Sequence, residues 1–439
     1  MKTLGIFLYE WTHFIRSPFK IVALLLFLLA GGYGLHNGAS LYHEQMMQIE
    51  KINKKVQEER QEYFAYYDEG KSGPEKGPWI DITAPFWAIW FSNIYHFKLP
   101  TPALVYSMGQ AEQYGFYKRV TFLASPYDAD MTKEISNPER LQTGTLDFSF
   151  ALLFLLPLLL MIFLYNLKSM EAEQGFLPLI EVQVAAKNTW LLSRVAFYVG
   201  LLWVVLIGLL LYGAMLTKLF PQAGAAFGQM LLYSTLYLIF WSVIYYFILR
   251  SGTSIMGNTL RMVAVWLVLA FIIPAAVHQW ISIKKPANLM TDLIDAKRDQ
   301  TQALYDLPDS IFADKLHTLF PEILESPLAK DSTKSKPAYS RSASALVNEL
   351  TKKSIVIIEK DNKAKNSLVR NSYLFSPLTF FQNRFNKIAQ SHYDDYQLYR
   401  DEIQQLIDTQ IRTMVLDTWQ EVKVDKPKYT EYHKTLNPG

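Results

Sequence analysis

The sequence predicts a mainly α-helical, polytopic membrane protein with five transmembrane helices and two largely helical extracytoplasmic domains. Of its 439 residues, 50% are hydrophobic and 14% are aromatic, which is high for a soluble domain. The apolar residues are gathered into five charge-poor runs, each close to the roughly 20 residues needed to cross a bilayer core. One long polar region follows the first run and another follows the fifth, and in the last part of the second region apolar residues recur at helical spacing.

The charge balance and the absence of cysteine exclude several classes of function. Lysine and arginine total 43 against 40 aspartate and glutamate, and a net charge of +3 is too small to indicate nucleic-acid binding. Without cysteine there is no disulfide framework, no thiolate metal site and no cysteine nucleophile. This composition is compatible with a protein of the bacterial envelope.

The predicted transmembrane helices cover residues 19–41, 148–167, 195–216, 230–249 and 262–283. Pro157 and Pro274 lie inside two of them, which helices packed against neighbours tolerate. The first run is expected to be a retained anchor and not a cleaved signal peptide. The region before this run is long, and the apolar core of the run is longer than that of a usual signal peptide.

Basic residues near the ends of these helices predict the orientation. They cluster before the first helix, between the second and third, and between the fourth and fifth: Lys2, Arg16, Lys20, Lys168, Lys187, Arg194, Arg250 and Arg261. The N-terminus is therefore expected to be cytoplasmic in a bacterial inner membrane, with the large polar regions in the periplasm. A low-complexity patch at 328–344 predicts a mobile segment there.

This topology predicts seven parts. They are an amphipathic cytoplasmic interface helix (1–18), the first transmembrane helix (19–41), extracytoplasmic domain 1 (42–146), the second transmembrane helix (147–167), a cytoplasmic loop (168–194), the last three transmembrane helices (195–283) and extracytoplasmic domain 2 (284–439).

The amphipathic start of the chain is predicted to lie in the plane of the lipid headgroups. Its apolar residues share one helical face: Leu4, Phe7, Leu8, Trp11, Phe14 and Ile15. Glu10 and His13 fall elsewhere on the helix, and Arg16, Ser17 and Pro18 end it. A plainer interpretation is a flanking helix that eases entry of the chain into the membrane.

The stretch KSMEAEQGFLPLIE at 168–181 follows the second apolar run directly. Glu171 and Glu173 come within a few residues of the helix end, where negative charge opposes the helix macrodipole. That placement favours a binding partner, or a capping role in the next short helix, over carboxylates that are merely solvated. Gly175 is expected to break the segment.

A Glu-x-Glu-x-Gly motif follows a helix containing LPLLL, and a short amphipathic stretch and Arg194 precede the next helix. Together these features resemble those of a type-2 ABC transporter permease. The N-terminal helix with Glu10, Arg16 and Pro18 adds to the resemblance. More narrowly, the chain is similar to the subgroup related to multicopper-enzyme maturation permeases. Members of that subgroup carry large outward domains after the first and fifth helices. The family normally has six transmembrane helices, whereas no run after residue 283 is long and apolar enough to be a sixth.

The resemblance implies that 168–194 is a coupling loop that sits in a groove of a cytoplasmic ABC ATPase. Its coupling residues would be Glu171, Glu173, Gln174, Gly175 and Arg194, and the interface helix would contribute Glu10, Trp11, Arg16 and Pro18. The implied partners are an ATPase dimer, a second copy or a paralogous permease, the bilayer, and a periplasmic protein or lipoprotein. ATP and Mg²⁺ would be cofactors of the ATPase only.

The chain carries no motif for chemistry of its own. GPEKGP at 73–78 fails the spacing of a phosphate-binding loop, and neither H-E-x-x-H nor G-x-S-x-G occurs. His392 beside Asp394 and Asp395 is interpreted as a solvated helix turn and not as a metal site. Asp147 is the acidic residue nearest an apolar run and lies only at its boundary, which argues against an ion-coupled transporter.

The resemblance, together with these observations, therefore implies a permease that exports a bulky or amphipathic substrate, or that moves its outer domains mechanically. The alternative is a membrane-anchored periplasmic interaction or sensory protein without transport. An intramembrane enzyme is disfavoured because no catalytic group is found. Neither the substrate nor the choice between a homodimer and a heterodimer follows from the sequence.

Overall fold

The computed structural model describes residues 3–74, 77, 79–136, 145–183, 187–252, 254–285, 298–299, 301–331 and 335–436. In these residues the chain is mainly helical, and five helices are long and apolar enough to cross a membrane. Each overlaps one of the predicted transmembrane segments, so the prediction of a helical chain with five such helices is confirmed.

The first two helices are α1 (Thr3–Ile15) and α2 (Pro18–Asp68). Pro18 occupies the first turn of α2, where its missing N–H leaves no hydrogen bond unmade. With 51 residues, α2 is about 76 Å long at 1.5 Å per residue. The first apolar run and the charged stretch after it are thus one continuous helix that outlasts the thickness of a bilayer.

The second apolar helix, α5, follows two short helices of the first polar region, α3 (Pro85–Trp90) and α4 (Asp128–Ser136). It consists of Phe148–Phe150, a π-helical turn at Ala151–Leu155 and an α-helical part at Leu156–Leu164. Pro157 cannot donate to the carbonyl of Leu153. The hydroxyl of Tyr237 donates to that carbonyl instead, at 2.5 Å, so a neighbouring helix satisfies the group that the proline leaves free.

Two short helices, α6 (Ser169–Glu173) and α7 (Leu177–Gln183), precede the remaining apolar helices. These are α8 (Lys187–Leu216), α9 (Phe220–Ser251) and α10 (Ile255–Lys284), the last with a π-helical turn at Val268–Ile272 just before Pro274. In its most apolar stretch, α5 is 67% buried and α10 only 11%. The helix α5 is therefore the centre of the bundle, and α10 lies at its edge.

The two polar regions share one hydrophobic core. The first contributes a two-stranded antiparallel sheet, β1 (Tyr95–Phe97) and β2 (Tyr117–Arg119), in which Tyr95 lies opposite Arg119. The second contributes α11 (Asp309–Leu319), α12 (Ser335–Asn371), α13 (Pro377–Ile388), α14 (Tyr393–Trp419) and α15 (Lys426–Leu436). Ile89, Val120 and Phe122 of the first region are buried in the same cluster as Ile403, Ile407 and Trp419 of the second. We call this packed body the outer unit.

The prediction of a mobile segment at 328–344 is wrong from residue 335 onward, and 332–334 lie outside the described residues. Ala338, Ser342 and Ala345 are buried in the first turns of α12. Their small side chains let the helix approach α14, where the indole N–H of Trp419 donates to the Ser342 hydroxyl at 3.0 Å. A stretch rich in small and polar residues is here a helix–helix contact.

The outer unit is joined to the bundle through α13. Phe381 of α13 contacts Tyr237 of α9 with ring centroids 4.9 Å apart, and Leu378 and Phe385 are buried in the same core as the apolar helices. Ser376 precedes Pro377 at the start of α13. The outer unit therefore packs directly on one end of the bundle.

Candidate functional site

Three distant parts of the chain meet in a buried ionic cluster at the start of the bundle. Arg194 in α8 donates through Nε to Glu10 of α1, and through Nη1 to Glu171 of α6 at 2.5 Å. Its Nη1 also donates to the backbone carbonyl of Leu167. Glu10 is 0%, Arg194 2% and Glu171 8% exposed. We call these three side chains the triad.

Lys20 of α2 lies next to the triad and was not expected to be part of a site. Its Nζ donates to the Phe163 carbonyl at 2.9 Å and to the Tyr198 hydroxyl at 3.0 Å, and the residue is 2% exposed. Two cations thus accompany two buried carboxylates, as burial of charge requires. The signal that could have identified Lys20 is a lysine inside an apolar helix, since such residues mark functional or paired positions.

The side of α1 that packs inward differs from the predicted apolar face. Ile6, Glu10 and Phe14, spaced four residues apart, are buried, whereas Leu8 and Ile15 are 62% and 52% exposed. Placing Glu10 inward is stable because Arg194 neutralises it. The other apolar side chains of α1 that the structure describes are at least 39% exposed, and a lipid headgroup layer suits such a surface.

The other predicted interface residues lie at the edge of this helix. Trp11 is 47% exposed and its ring contacts Phe197 of α8 at 6.4 Å. Arg16 is exposed after the last turn of α1, and Pro18 begins α2. The side chain of Leu4 lies outside the described residues. Trp11 and Arg16 are therefore accessible beside the triad and not part of it.

Gly175 ends α6 as expected, and the reason is its backbone conformation. Its φ is +78°, a value that favours glycine. The N–H of Phe176 donates to the Glu171 carbonyl at 2.9 Å, and that of Gly175 donates to the Ala172 carbonyl at 3.2 Å. These two bonds form a Schellman motif. Gln174, the residue before it, is exposed.

Glu173 caps a helix, but not the short one that follows it. Its Oε1 accepts from the backbone N–H of Ile255 at 2.7 Å, at the start of α10. Negative charge is favourable at that end of a helix, so the unfavourable position of Glu173 on α6 is offset by α10. Asn258 of α10 also donates to the Ser169 hydroxyl at 2.6 Å, and α6 is thereby fixed to α10.

A short apolar surface projects from this fixed segment. Phe176, Leu179 and Val182 follow one another at three-residue spacing and are 57%, 64% and 88% exposed. At that spacing the three side chains share one face of α7 and the residue before it. We call Phe176, Leu179 and Val182 the α7 knob.

The arrangement joins α1, α6 and α8 through buried ion pairs and leaves the apolar surface of the α7 knob exposed. In the part of the chain that the structure describes, no group of three His, Asp or Glu side chains is placed to hold a metal ion. His392, considered as a metal ligand, is the N-cap of α14. Its ring accepts from the backbone N–H of Asp394 at 3.2 Å, and the carboxylate of Asp395 accepts from the His392 N–H at 3.0 Å.

Of the predicted site residues, Glu10, Glu171 and Arg194 meet in the triad, while Glu173 binds α10 and Gly175 shapes the turn. Comparison with models of protein families, with curated proteins and with solved structures finds no match to this chain.

Proposed function

We propose that this chain is the membrane-spanning permease subunit of an ABC transporter, located in a bacterial inner membrane with its N-terminus in the cytoplasm. The observation that supports this most is the α7 knob, an exposed apolar surface carried by a segment that is fixed to the bundle. An apolar helix face of this size suits insertion into the groove of a folded partner. The partner is a cytoplasmic ABC ATPase.

The contacts around α6 would carry a displacement of the knob into several helices at once. Glu171 connects α6 to α8 through Arg194, and Glu173 connects it to α10 through Ile255. Glu10 adds α1. Such contacts between packed helices transmit movement because a well-packed interior deforms little. The triad would act as a joint between the ATPase and the bundle.

ATP hydrolysis belongs to the partner in this proposal. The chain has no phosphate-binding loop motif in its sequence, and ATP and Mg²⁺ would be bound by the ATPase dimer. A second permease copy would complete the transporter. The edge helix α10, with 11% of its most apolar stretch buried, offers the surface for that copy.

The length of α2 favours movement of the outer unit as one output of the cycle. Lys20 lies beside the triad near the start of α2. Near the other end, Tyr63, Phe64 and Tyr67 pack around Tyr429 of α15, with ring centroids 5.5 to 6.2 Å apart. One uninterrupted helix therefore connects the proposed coupling site with the core of the outer unit. A periplasmic protein or lipoprotein bound to the outer unit would be displaced by this movement.

Co-purification with an ABC ATPase encoded beside this chain tests the proposal. The variant Leu179→Ser/Val182→Ser removes two of the three apolar side chains of the α7 knob, the two that are most exposed. The control Leu324→Ser/Val356→Ser makes the same kind of change at positions of the outer unit that are 52% and 60% exposed. We expect the knob variant to retain at least tenfold less ATPase than the native chain, and the control to retain as much.

Equal retention by the knob variant, or no ATPase bound to the native chain, contradicts the proposal. The second result would favour a membrane-anchored interaction protein. Melting temperatures of all three proteins show whether a loss of ATPase reflects unfolding.

A further inference from the structure

The turn between α12 and α13 exposes two large apolar side chains. Leu374 and Phe375 are 85% and 68% exposed. They belong to a stretch without charged residues, NSYLFSPLTFFQN at 371–383, which Arg370 precedes and Arg384 follows. We call residues 371–376 the tip. An exposed apolar surface of this kind marks a contact with another molecule or with lipid.

The helix that follows the tip lies among the apolar helices. Leu378 of α13 is buried in the core of the bundle, and Phe381 contacts Tyr237 of α9. The helix α13 also packs on the π-helical turn Val268–Ile272 of α10. Both contacts lie within helices that are long and apolar enough to cross a membrane. The first half of α13 is therefore beside the apolar part of the bundle and not above it.

The other end of α13 lies level with the start of α5. The Ser107 hydroxyl donates to the amide oxygen of Asn386 at 2.6 Å, and the N–H of Met108 donates to Asp147 at 3.2 Å. Asp147 is the N-cap of α5. The helix α13 thus ends where the bundle meets the outer unit, and its start points away from the outer unit.

Tyr237 shows how far α13 extends into the bundle. Its hydroxyl donates to the carbonyl of Leu153. Leu153 lies six residues after Asp147, which is about 9 Å along α5 at 1.5 Å per residue. Phe381, in contact with Tyr237, is near this depth. The tip comes before Phe381 in the chain and therefore lies further in the same direction.

The last turns of α12 reach this level from the other side. Asn366 and Arg370 donate to Asp394 of α14, each at 2.7 Å. Three residues before Asp394, the Ser391 hydroxyl donates to the Ser107 carbonyl at 3.0 Å. Arg370 is therefore near the junction of the outer unit and the bundle, and the tip passes beyond that junction.

Backbone groups of the tip have hydrogen-bond partners within the hairpin. The N–H groups of Phe375 and Ser376 both donate to the carbonyl of Ser372 at 2.9 Å. The N–H of Tyr373 donates to the last turn of α12 at 3.2 Å, and the Tyr373 hydroxyl accepts from Asn383 at 2.9 Å. Groups that are already paired can leave water at low cost, as a lipid environment requires.

Arg384 places a cation beside the tip. Its guanidinium lies 5.3 Å from the ring centroid of Phe380 and 5.8 Å from that of Tyr233, and the residue is exposed. Tyr373 of the tip contacts Phe380 with ring centroids 5.6 Å apart. Aromatic rings and long basic side chains are typical of the boundary between acyl chains and headgroups.

The apolar surface of the tip is near exposed apolar side chains of α10. In the turn Val268–Ile272, on which α13 packs, Phe271 and Ile272 are 46% and 58% exposed. Acyl chains would cover such side chains of a membrane-spanning helix. Lipid that covers α10 at this level would also be in reach of Leu374 and Phe375.

We propose that the tip inserts into the bilayer leaflet nearer the outer unit. Leu374 and Phe375 lie among the upper parts of the acyl chains, and Arg370 and Arg384 lie at the level of the lipid phosphates. This inference rests on the bundle crossing the membrane. It goes beyond the coupling proposed above and needs no ATPase.

The depth of a nitroxide attached at Leu374→Cys tests the proposal, because the chain has no other cysteine. The full chain is placed in nanodiscs of phosphatidylethanolamine and phosphatidylglycerol. Power saturation compares collisions of the nitroxide with O₂, which concentrates among acyl chains, and with a water-soluble nickel chelate. We expect the ratio of O₂ to nickel collisions to be at least fivefold higher than at Val356→Cys, an exposed position of α12.

Ile272→Cys provides the reference for a nitroxide in lipid, and we expect residue 374 to match its ratio within twofold. Equal ratios at residues 374 and 356 would place the tip in water and overturn the proposal. Few collisions with either reagent at residue 374 would mean that a second copy or another protein covers the tip. That result would overturn the proposal as well.

The variant Leu374→Asp/Phe375→Asp tests insertion without a label. Val356→Asp/Ile357→Asp adds the same two charges at positions of α12 that are 60% and 63% exposed. Substitutions at exposed positions normally change stability little, whereas a carboxylate among acyl chains is costly. We expect the tip variant to melt at a lower temperature than the control in nanodiscs, and equal melting temperatures contradict insertion. Retention of the ATPase is measured separately, so failure here leaves the coupling proposal intact.

Discussion

Nη1 of Arg194 lies 2.5 Å from Oε1 of Glu171, although the two residues belong to different helices and are separated by 22 others along the chain. Both are buried, and Glu10 of α1 pairs with the same guanidinium. A single arginine thus accounts for two carboxylates that, on sequence alone, had no partner. It also makes the start of α8 the point at which α1 and α6 are joined.

Replacing Arg194 by methionine is expected to destabilise the protein strongly. Glu10 and Glu171 would remain buried with no guanidinium between them, and loss of one partner from a buried ion pair costs about 3–5 kcal/mol. The melting temperature in detergent measures the effect. The exposed Arg250 provides a control, since Arg250→Met is expected to leave the melting temperature nearly unchanged. Similar melting temperatures for the two variants would show that the triad contributes little.

Gly175→Ala is expected to loosen the turn between α6 and α7. The φ of +78° strains any residue with a Cβ by about 1–2 kcal/mol, and because a Cβ there meets no atom within 4 Å, the effect is on the backbone alone. Amide hydrogen exchange in residues 169–183 should become faster. Gly200→Ala, inside α8 and also without a neighbour within 4 Å, should leave exchange there unchanged or slower. No difference between the two variants would contradict the role of Gly175.

Much of the helical bundle could be predicted from the sequence because its signals are local. Run length locates the apolar helices, and Pro18 and Gly175 mark a start and an end through their own backbone limits. The Arg194–Glu171 contact could not be predicted, because helical periodicity does not specify which face turns inward. The side of α1 with Glu10 turns inward because Glu10 pairs with Arg194 of α8, and such a pairing is a tertiary contact.

The shared core of the outer unit could not be predicted from the sequence either, for a related reason. Gln410 donates to the Val120 carbonyl at 3.1 Å across 290 residues of sequence. No local sequence pattern predicts such a pairing. In the sequence, the two polar regions are separated by apolar helices and therefore resemble two independent domains.

Arg400→Met is expected to destabilise the outer unit. Arg400 is 3% exposed and donates to Glu359 at 3.2 Å and to Asp130 at 3.3 Å. Tyr127 and Tyr393 also donate to Glu359, so the arginine holds together segments from both polar regions. Leaving the buried carboxylates of Glu359 and Asp130 without this positive charge should cost about 3–5 kcal/mol, measurable as a lower melting temperature.

The matched control for Arg400 is Arg412 on the same helix. Arg412 pairs with Glu322 at 2.5 Å, but the two side chains are 57% and 47% exposed. An exposed pair is worth about 0–1 kcal/mol, so Arg412→Met should change the melting temperature little. If both variants have the same melting temperature as the native chain, the buried ion pairs of Arg400 do not stabilise the outer unit.

His433 is expected to make the outer unit less stable in acid. It is 6% exposed, and Nη2 of Arg60 lies 3.0 Å from its Nδ1. Burial, with the neighbouring positive charge of Arg60, lowers the pKa of His433 from 6.5 to about 4. The unfolded chain therefore takes up this proton first as the pH falls. The contribution of His433 to stability is complete above pH 6.5 and is lost progressively between pH 6.5 and 4.

Melting temperatures of the native chain and of His433→Gln between pH 7.5 and 4.5 test this sign. Glutamine cannot titrate, so the difference between the two proteins isolates the proton of His433 from those of other groups. We expect the native melting temperature to fall more steeply than that of the variant below pH 6.5. His278→Gln, at an exposed position of α10, should follow the native curve. Parallel curves for the native chain and His433→Gln would mean that His433 keeps an ordinary pKa in the folded protein.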